Sequence, residues 1–495
     1  MPRSFCGGKV SDARHKEISA MTKHFTRTRV ATAVAGIALA LGAGQAFGSA
    51  FALQTQNASG LGHAYAGGAA AAEDVSTIFY NPAGLVRLQK TEVVMSANVI
   101  CPSAKFQDNA SKAALYQPLG GTGGEAGGCA VVPNLYVGVP FTDKWSFGLG
   151  INAPFGLETE YDSDWLGRFQ AIKSKLETIN VNPVLSWEPT RNFTIGAGVS
   201  WQKLKAEITK NADYAALFAS QVPGLVQAGK VSPADAPTLV GSAYGLQSAV
   251  KITGDDDSWG WNAGVLWQVT PQTRIGAAYR SAIKYTATGT IEFTNPTVAN
   301  LGPLPPSLAP YGAAIVNGVN ANPLLANGPI TASIKMPETA NLSIYSELNK
   351  EWDVMADLQY TGWSSIQQFQ VVRDTGAVAG GYTWNFRNTW RVSAGVNYHY
   401  SEKLIFRGGI AYDQTPTNDT DRTPGLPDNN RTWLAAGVHY HFSDQWQVDL
   451  AYAHEFIQSP SIDQNGGNAA LYGLINGSIK EQVNIVGAQV KYVFK

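Results

Sequence analysis

From Thr91 to the C-terminus the chain sorts its connections by length, and that parity restricts the folds open to it. Fourteen candidate strands fall near 91–101, 129–140, 144–153, 175–187, 192–208, 258–269, 273–293, 330–347, 352–369, 382–399, 403–415, 431–442, 445–459 and 478–494. The links after even-numbered strands are short: Phe141-Thr142-Asp143, Glu188-Pro189-Thr190-Arg191, Thr270-Pro271-Gln272, Leu348-Asn349-Lys350-Glu351, Ser401-Glu402 and Ser443-Asp444. Those after odd-numbered strands are longer, up to about fifty residues. An even number of strands, with tight turns at one end and long loops at the other, is the pattern of an outer-membrane barrel; sandwiches do not sort their loops in this way. Within strands the residues alternate. Trp446, Val448, Leu450 and Tyr452 share one face, and Gln447, Asp449, Ala451 and Ala453 the other. Alternation alone does not separate an apolar face turned to lipid from one turned to a core.

Composition separates them better. Charged residues are 15% of the chain, against about 25% in soluble domains. Yet beyond residue 48 there is no run of the ~18 apolar residues that a transmembrane helix requires. The one apolar run, Val30 to Ala46, follows Lys23, Arg27 and Arg29 and ends in Ala46-Phe47-Gly48. A charged segment, an apolar segment and a small-residue site make a secretory signal peptide over 1–48, cut after Gly48. Residues 1–20 are polar and add nothing to it, which makes Met21 a second candidate start. Seven of the 36 Lys/Arg and two of the 37 Asp/Glu lie in 1–48, leaving 29 against 35 and a net charge near −6. That balance does not suit a nucleic-acid partner, which calls for a basic face. Cys101 and Cys129 flank the loop between the first two strands. Export to an oxidising compartment permits a disulfide between them, and two free thiols is the alternative.

Ahead of the strands, Ser59 to Leu85 reads SGLGHAYAGGAAAAEDVSTIFYNPAGL. It is too rich in Gly and Ala to build a core and lacks alternation, so it suits a plug packed inside something larger. The expected organisation is all-β: a fourteen-stranded antiparallel transmembrane β-barrel over 91–495, plugged by an N-terminal hatch over 49–90. Parity puts the hatch and the C-terminus on the periplasmic side and the long loops outside. Two loops, 209–257 and 294–329, are unusually apolar, which fits either ligand capture or mutual packing as a lid.

Other chemistry has weaker support. His439 and His441 share a strand face as metal ligands do, but no third ligand is evident, and a polar lumen explains them. Asp255-Asp256-Asp257 suits either Ca²⁺ in an outer loop or plain solvation. Ser393, His399, His439 and His454 have no spacing that singles out a catalytic pair. No enzyme, metal or cofactor is expected.

Taken in order, several motifs resemble the outer-membrane long-chain fatty acid transporters, the FadL family, and their aromatic-hydrocarbon-transporting relatives. They are Phe51-Ala-Leu53, Ser59-Gly-Leu-Gly62, Ala64-Tyr-Ala-Gly67, Glu73-Asp74, Asn81-Pro82-Ala83, Trp259-Gly-Trp-Asn-Ala-Gly264 and Trp363-Ser364. The resemblance implies passive uptake of long-chain fatty acids or similar hydrophobic compounds, with aromatic hydrocarbons or alkanes as the alternative and a general porin as a weaker one. Ligand would pass from apolar loops to a lumen site, and leave sideways beside a kink in the third strand. That kink maps to Asn152-Ala-Pro154-Phe155-Gly156, where Pro cannot donate to a ladder and Gly weakens a strand. Asn81, Pro82 and Ala83 map to the hatch turn, and Phe51 and Leu53 to the segment reaching the binding site. Basic lumen positions of the family fall near Lys203 and Lys205, with Ile208 in place of an arginine and Tyr382 in place of a lysine; Arg391 lies close by in sequence. The implied setting is a monomer in the outer membrane of a Gram-negative cell, in contact with lipid and lipopolysaccharide and inserted by the barrel assembly machinery.

Overall fold

The computed structural model describes residues 49–495. The signal-peptide reading of 1–48 lies outside them. Twenty strand segments form one closed antiparallel sheet, and consecutive segments join into fourteen barrel strands. These are β1 (Glu92–Asp108), β2 (Ala130–Thr142), β3 (Trp145–Asn152, then Gly156–Glu160), β4 (Lys173–Thr190), β5 (Phe193–Asp213), β6 (Gln247–Gln268) and β7 (Thr273–Arg280, then Ile283–Thr294). They continue as β8 (Gly328–Met336, then Thr339–Glu347), β9 (Trp352–Thr361, then Gln368–Arg373), β10 (Val378–Thr383, then Thr389–His399), β11 (Leu404–Asp413), β12 (Arg431–His441), β13 (Trp446–Ile457, then Ser461–Gln464) and β14 (Ile475–Val493). The sheet closes where β1 meets β14, from Glu92 opposite Val493 to Asp108 opposite Gly477.

Side-chain exposure decides the face that alternation left open. On β13 the apolar residues Trp446, Leu450, Tyr452 and Phe456 are exposed, whereas Gln447, Asp449 and Glu455 are buried. Apolar outside and polar inside is the reverse of a sandwich and the order of a membrane barrel. No helix among the described residues is long and apolar enough to cross a membrane.

Several strands run further than their sequence suggests. β5 and β6 have 21 and 22 residues, where about 9–11 tilted residues cross a bilayer. The loop read as 209–257 therefore shrinks, and Asp255, Asp256 and Asp257 lie in β6 rather than in an outer loop. Each aspartate has a partner: Asp255 pairs with Lys203 at 2.9 Å, Asp256 accepts from Thr286 N, and Asp257 accepts from Trp201 Nε1. The two apolar loops pack on each other. Tyr214, Phe218 and Leu239 from one, and Leu308, Ile315 and Val316 from the other, form a buried cluster.

Cys101 and Cys129 are joined as a disulfide that ties β1 to the residue before β2. Closing a loop in the unfolded chain stabilises by about 2–4 kcal/mol. Cys101→Ser should lower the thermal midpoint of the purified barrel, and reductant should lower that of wild type equally; unchanged midpoints would argue against the bond.

Candidate functional site

The third strand is broken. β3 stops at Asn152 and resumes at Gly156. Its first segment pairs with β2 from Leu135–Ile151 down to Thr142–Trp145, but its second pairs with β4 alone. Residues 130–134 of β2 consequently have β1 as their one ladder neighbour. Pro154 at the break has no N–H to offer a ladder.

The hatch supplies what the break leaves unpaired. Leu53 N donates to Pro154 O at 2.8 Å, and Gly156 N donates to Phe51 O at 2.9 Å. Ala52 thus bridges Phe155 in antiparallel fashion. Across the break, Thr178 Oγ1 on β4 accepts from Phe155 N and donates to Phe155 O. Gln56 Nε2 holds Ala153 O at 2.9 Å. A three-residue interruption in a barrel wall would otherwise leave backbone groups unsatisfied where no water replaces them, a cost of several kcal/mol per group.

Two chambers lie one above the other on either side of the 51–53 segment. The one nearer the long loops has an empty volume of about 880 Å³ and is lined by Phe51, Leu157, Leu204, Ile334, Tyr382 and Trp384 among others. The other, of about 730 Å³, is lined by Leu53, Phe155, Gln202, Arg280, Ile283 and Met336 among others. The stacking of the two chambers follows from the strands. Leu204 and Gln202 are successive inward residues of β5, and Ile334 and Met336 of β8. An aromatic group marks the divide: Phe51 lies 4.8 Å from the Trp363 ring and 6.2 Å from that of Phe155, centroid to centroid.

The rest of the hatch is anchored to the wall by side chains. Asn81 accepts from Ala83 N and donates to Ala69 O within the hatch, and also donates to Val265 O of β6 at 2.9 Å. Pro82 follows it at the start of a tight turn, and Ala83 O accepts from Ser186 Oγ of β4. Glu73 receives Arg407 at 3.1 Å and Asn397 at 2.8 Å, and Arg407 also holds Asp449 at 2.6 Å. Asp74 receives Gln489 at 2.8 Å. At Gly276 an added Cβ would come within 1.8 Å of Ala69 O, so only glycine admits the hatch backbone there.

A broken third strand sealed by an N-terminal plug, inside fourteen strands, is a specific combination. The family described as "Outer membrane protein transport protein (OMPP1/FadL/TodX)" matches residues 39–494. The chain belongs to this family. Outer membrane protein P1 of Haemophilus influenzae is 31% identical over 447 residues, 87% of this chain and 90% of that protein. The long-chain fatty acid transport protein of Escherichia coli K12 is 28% identical over 459 residues, 91% and 97% of the two chains. A Pseudomonas aeruginosa FadL homologue superposes with a TM-score of 0.76 at 25% identity, over 90% of this chain and 100% of that one. The Ralstonia pickettii toluene transporter TbuX shares the fold, with a TM-score of 0.59 at 21% identity over 89% of this chain and 98% of that one.

Within this OMPP1/FadL/TodX barrel, the residues singled out from sequence divide. Phe51 and Tyr382 line the upper chamber, and Leu53, Pro154 and Phe155 the lower one. Tyr382 Oη donates to Gln170 O. Asn152 and Gly156 bound the strand break, and Asn152 Oδ1 accepts from Asn180 Nδ2 on β4. Three assignments are corrected. Lys203 and Lys205 point outward, on the strand face opposite Leu204, Ala206 and Ile208, and Lys203 is spent on Asp255. Arg391 lines neither chamber; it donates to Ala64 O in the hatch and stands over the Trp433 ring, 5.2 Å from its centroid. His439 is likewise structural, bonded to Asp449 at 2.8 Å and to His441 at 2.9 Å.

Sequence reasoning missed two cations, Lys175 and Arg280. Lys175 borders the upper chamber and is held by Glu158 at 3.2 Å and Glu177 at 2.9 Å. Arg280 was legible by parity, because Arg274, Gly276, Ala278 and Arg280 share the inward face of β7.

Proposed function

We propose that this chain carries long-chain fatty acids, or hydrophobic compounds of similar shape, passively across the outer membrane. The observation that carries the proposal is the break in β3 with hatch residues 51–53 seated in it. An apolar ligand enters the upper chamber from the long-loop side, displaces the 51–53 segment, and leaves sideways where β2 lacks its β3 partner. Lateral exit suits the chemistry. Each buried CH₂ is worth about 0.8 kcal/mol, so an aqueous channel is a costly route for an acyl chain and delivery into the bilayer avoids that cost. A closed single-chain barrel needs no second copy for this, and its outward apolar belt is in contact with membrane lipid.

The test is uptake of labelled oleate and labelled toluene by cells lacking their own transporter, with and without this protein. Oleate uptake that falls to background in a Pro154→Val, Gly156→Val variant, whose third strand is made continuous, supports the reading. Unchanged uptake by a folded variant would sink lateral exit. Toluene uptake alone would move the protein to the hydrocarbon carriers, and leakage of small sugars would make it a porin.

A further inference from the structure

The lower chamber contains a charge without a counter-charge. Arg280 closes the first segment of β7 and points into the barrel. Its guanidinium donates to Ser200 Oγ at 3.1 Å, to Phe79 O at 3.1 Å and to Asn182 Oδ1 at 3.4 Å, and stands 4.5 Å from the centroid of the Phe79 ring. All of these partners are neutral. Several other interior arginines are matched to carboxylates: Arg407 to Glu73 and Asp449, Arg431 to Asp428 and Glu455, and Arg422 to Asp419. Two more lack an ion pair: Arg391 stands opposite Asp413 in the β10–β11 register, and Arg168 is taken up by the carbonyls of Pro118, Leu119 and Trp165. Lys175, the cation bordering the upper chamber, is neutralised by two glutamates. Keeping a guanidinium out of bulk water without an anion is costly, and an anion entering the chamber would offset that cost.

A second group points the same way. Gln202 is 2% exposed and lines the same chamber, and its Nε2 makes no well-formed hydrogen bond, with the Tyr285 side chain as its neighbour. It is the next inward residue along β5 from Ser200, which holds Arg280. Two donor groups thus face one space, whose remaining walls set Leu53, Phe155, Ile283 and Met336 beside polar residues such as Asn262, Asn341 and Gln359. Donors beside an apolar wall match a carboxylate on a hydrocarbon chain, and a guanidinium meets a carboxylate through two parallel hydrogen bonds.

Building on the transport reading above, we propose that Arg280, assisted by Gln202, receives the carboxylate of the ligand in the lower chamber once the 51–53 segment has moved. The upper chamber then selects for hydrocarbon and the lower one for an acidic head. The head group is held beside the β3 break while the chain is still in the barrel, so the acid reaches the gap oriented rather than free.

The experiment compares oleate with oleyl alcohol, which have the same chain and different heads. Binding to the purified barrel and uptake by cells are measured for wild type, Arg280→Gln, Arg280→Lys and Gln202→Leu, each checked for the heat-modifiable mobility of a folded barrel. Arg280→Gln should weaken oleate at least about tenfold, the loss of a charge-assisted hydrogen bond, and leave oleyl alcohol within about twofold. Arg280→Lys should recover part of the oleate affinity, since it restores the charge without the planar fork. Equal weakening of both ligands would reduce Arg280 to a structural role and overturn the assignment, as would oleate binding unchanged in Arg280→Gln. Wild type that takes up neither compound would instead overturn the transport reading.

Discussion

Arg407→Ala will open the pore while leaving the barrel closed on itself. Arg407 is 8% exposed on β11, and its guanidinium bridges a hatch residue, Glu73, and a wall residue, Asp449. Truncating it takes the guanidinium from two enclosed carboxylates at once, leaving Glu73 with Asn397 and Asp449 with His439. Breaking a buried pair from one side costs about 3–5 kcal/mol, because the charge left behind has no compensation. The β11 ladder to β10 and β12 is made of backbone bonds and survives. The loss therefore falls on the seating of the hatch, which is held to the wall largely by side chains. Expected results are sensitivity to a hydrophilic antibiotic that wild type excludes, a raised conductance in planar bilayers, and unchanged heat-modifiable mobility. A variant as tightly closed as wild type would show that the Glu73 latch does not hold the hatch.

The latch also predicts opposite pH responses. Burial raises the Glu73 carboxyl, but Arg407 and His63 outweigh it and leave the group well below the ordinary carboxylate range. A carboxylate depressed in the folded state contributes stability above its unfolded pKa, and loses it only as pH falls through the depressed value. Wild type should therefore stay shut on mild acidification and leak only in stronger acid. In Arg407→Ala the penalty comes from unpaired charge, and protonation relieves it. Its leak should be largest near about pH 8 and shrink toward about pH 5.

The barrel was legible because period two, link parity and strand count are local properties that survive without knowledge of contacts. The plug was legible from its composition: Ser59 to Leu85 holds too little apolar bulk to fold alone. The outward facing of Lys203 and Lys205 was not, and β5 shows why. Its outward residues are Phe193 and Val199 in the lower part, then Lys203 and Lys205 above. The inward ones change in the reverse sense, from Thr194, Ser200 and Gln202 to Leu204, Ala206 and Ile208. As the strand leaves the bilayer its outer face meets water while its inner face still lines an apolar chamber, so polarity changes sides without a break in register. β6 repeats the crossover, with Trp259 and Trp261 outward below Asp257 and Asp255. Reading polar as inward is right within the lipid belt and wrong above it. Lys203 and Lys205, which the family resemblance places in the lumen, lie above that belt on the outer face, while Arg280, lower on β7, faces inward.

Joining the hatch to the strand break should stop transport reversibly. In the bridge between Ala52 and Phe155, Leu53 N donates to Pro154 O and Gly156 N donates to Phe51 O. The two bonds flank the pair, which makes it the non-hydrogen-bonded kind, with Cα atoms about 4.5 Å apart. That separation lies within the range a disulfide spans, about 4.4–6.8 Å. An Ala52→Cys, Phe155→Cys variant should therefore close a bond between them under oxidising conditions. If ligand must displace 51–53 to reach the gap between β2 and β3, oxidised cells should take up oleate at the background of cells without the protein, and reductant should restore uptake. Each single variant should transport in both states, which separates the cross-link from the loss of Ala52 or of the Phe155 ring. Cys101–Cys129 is a second disulfide exposed to the same reductant, and the single variants control for any effect of its reduction. Transport at the wild-type rate by the fully cross-linked protein would mean that ligand never passes the 51–53 segment. The break in β3 would then be a structural irregularity sealed by the hatch, and the exit would have to lie elsewhere in the wall.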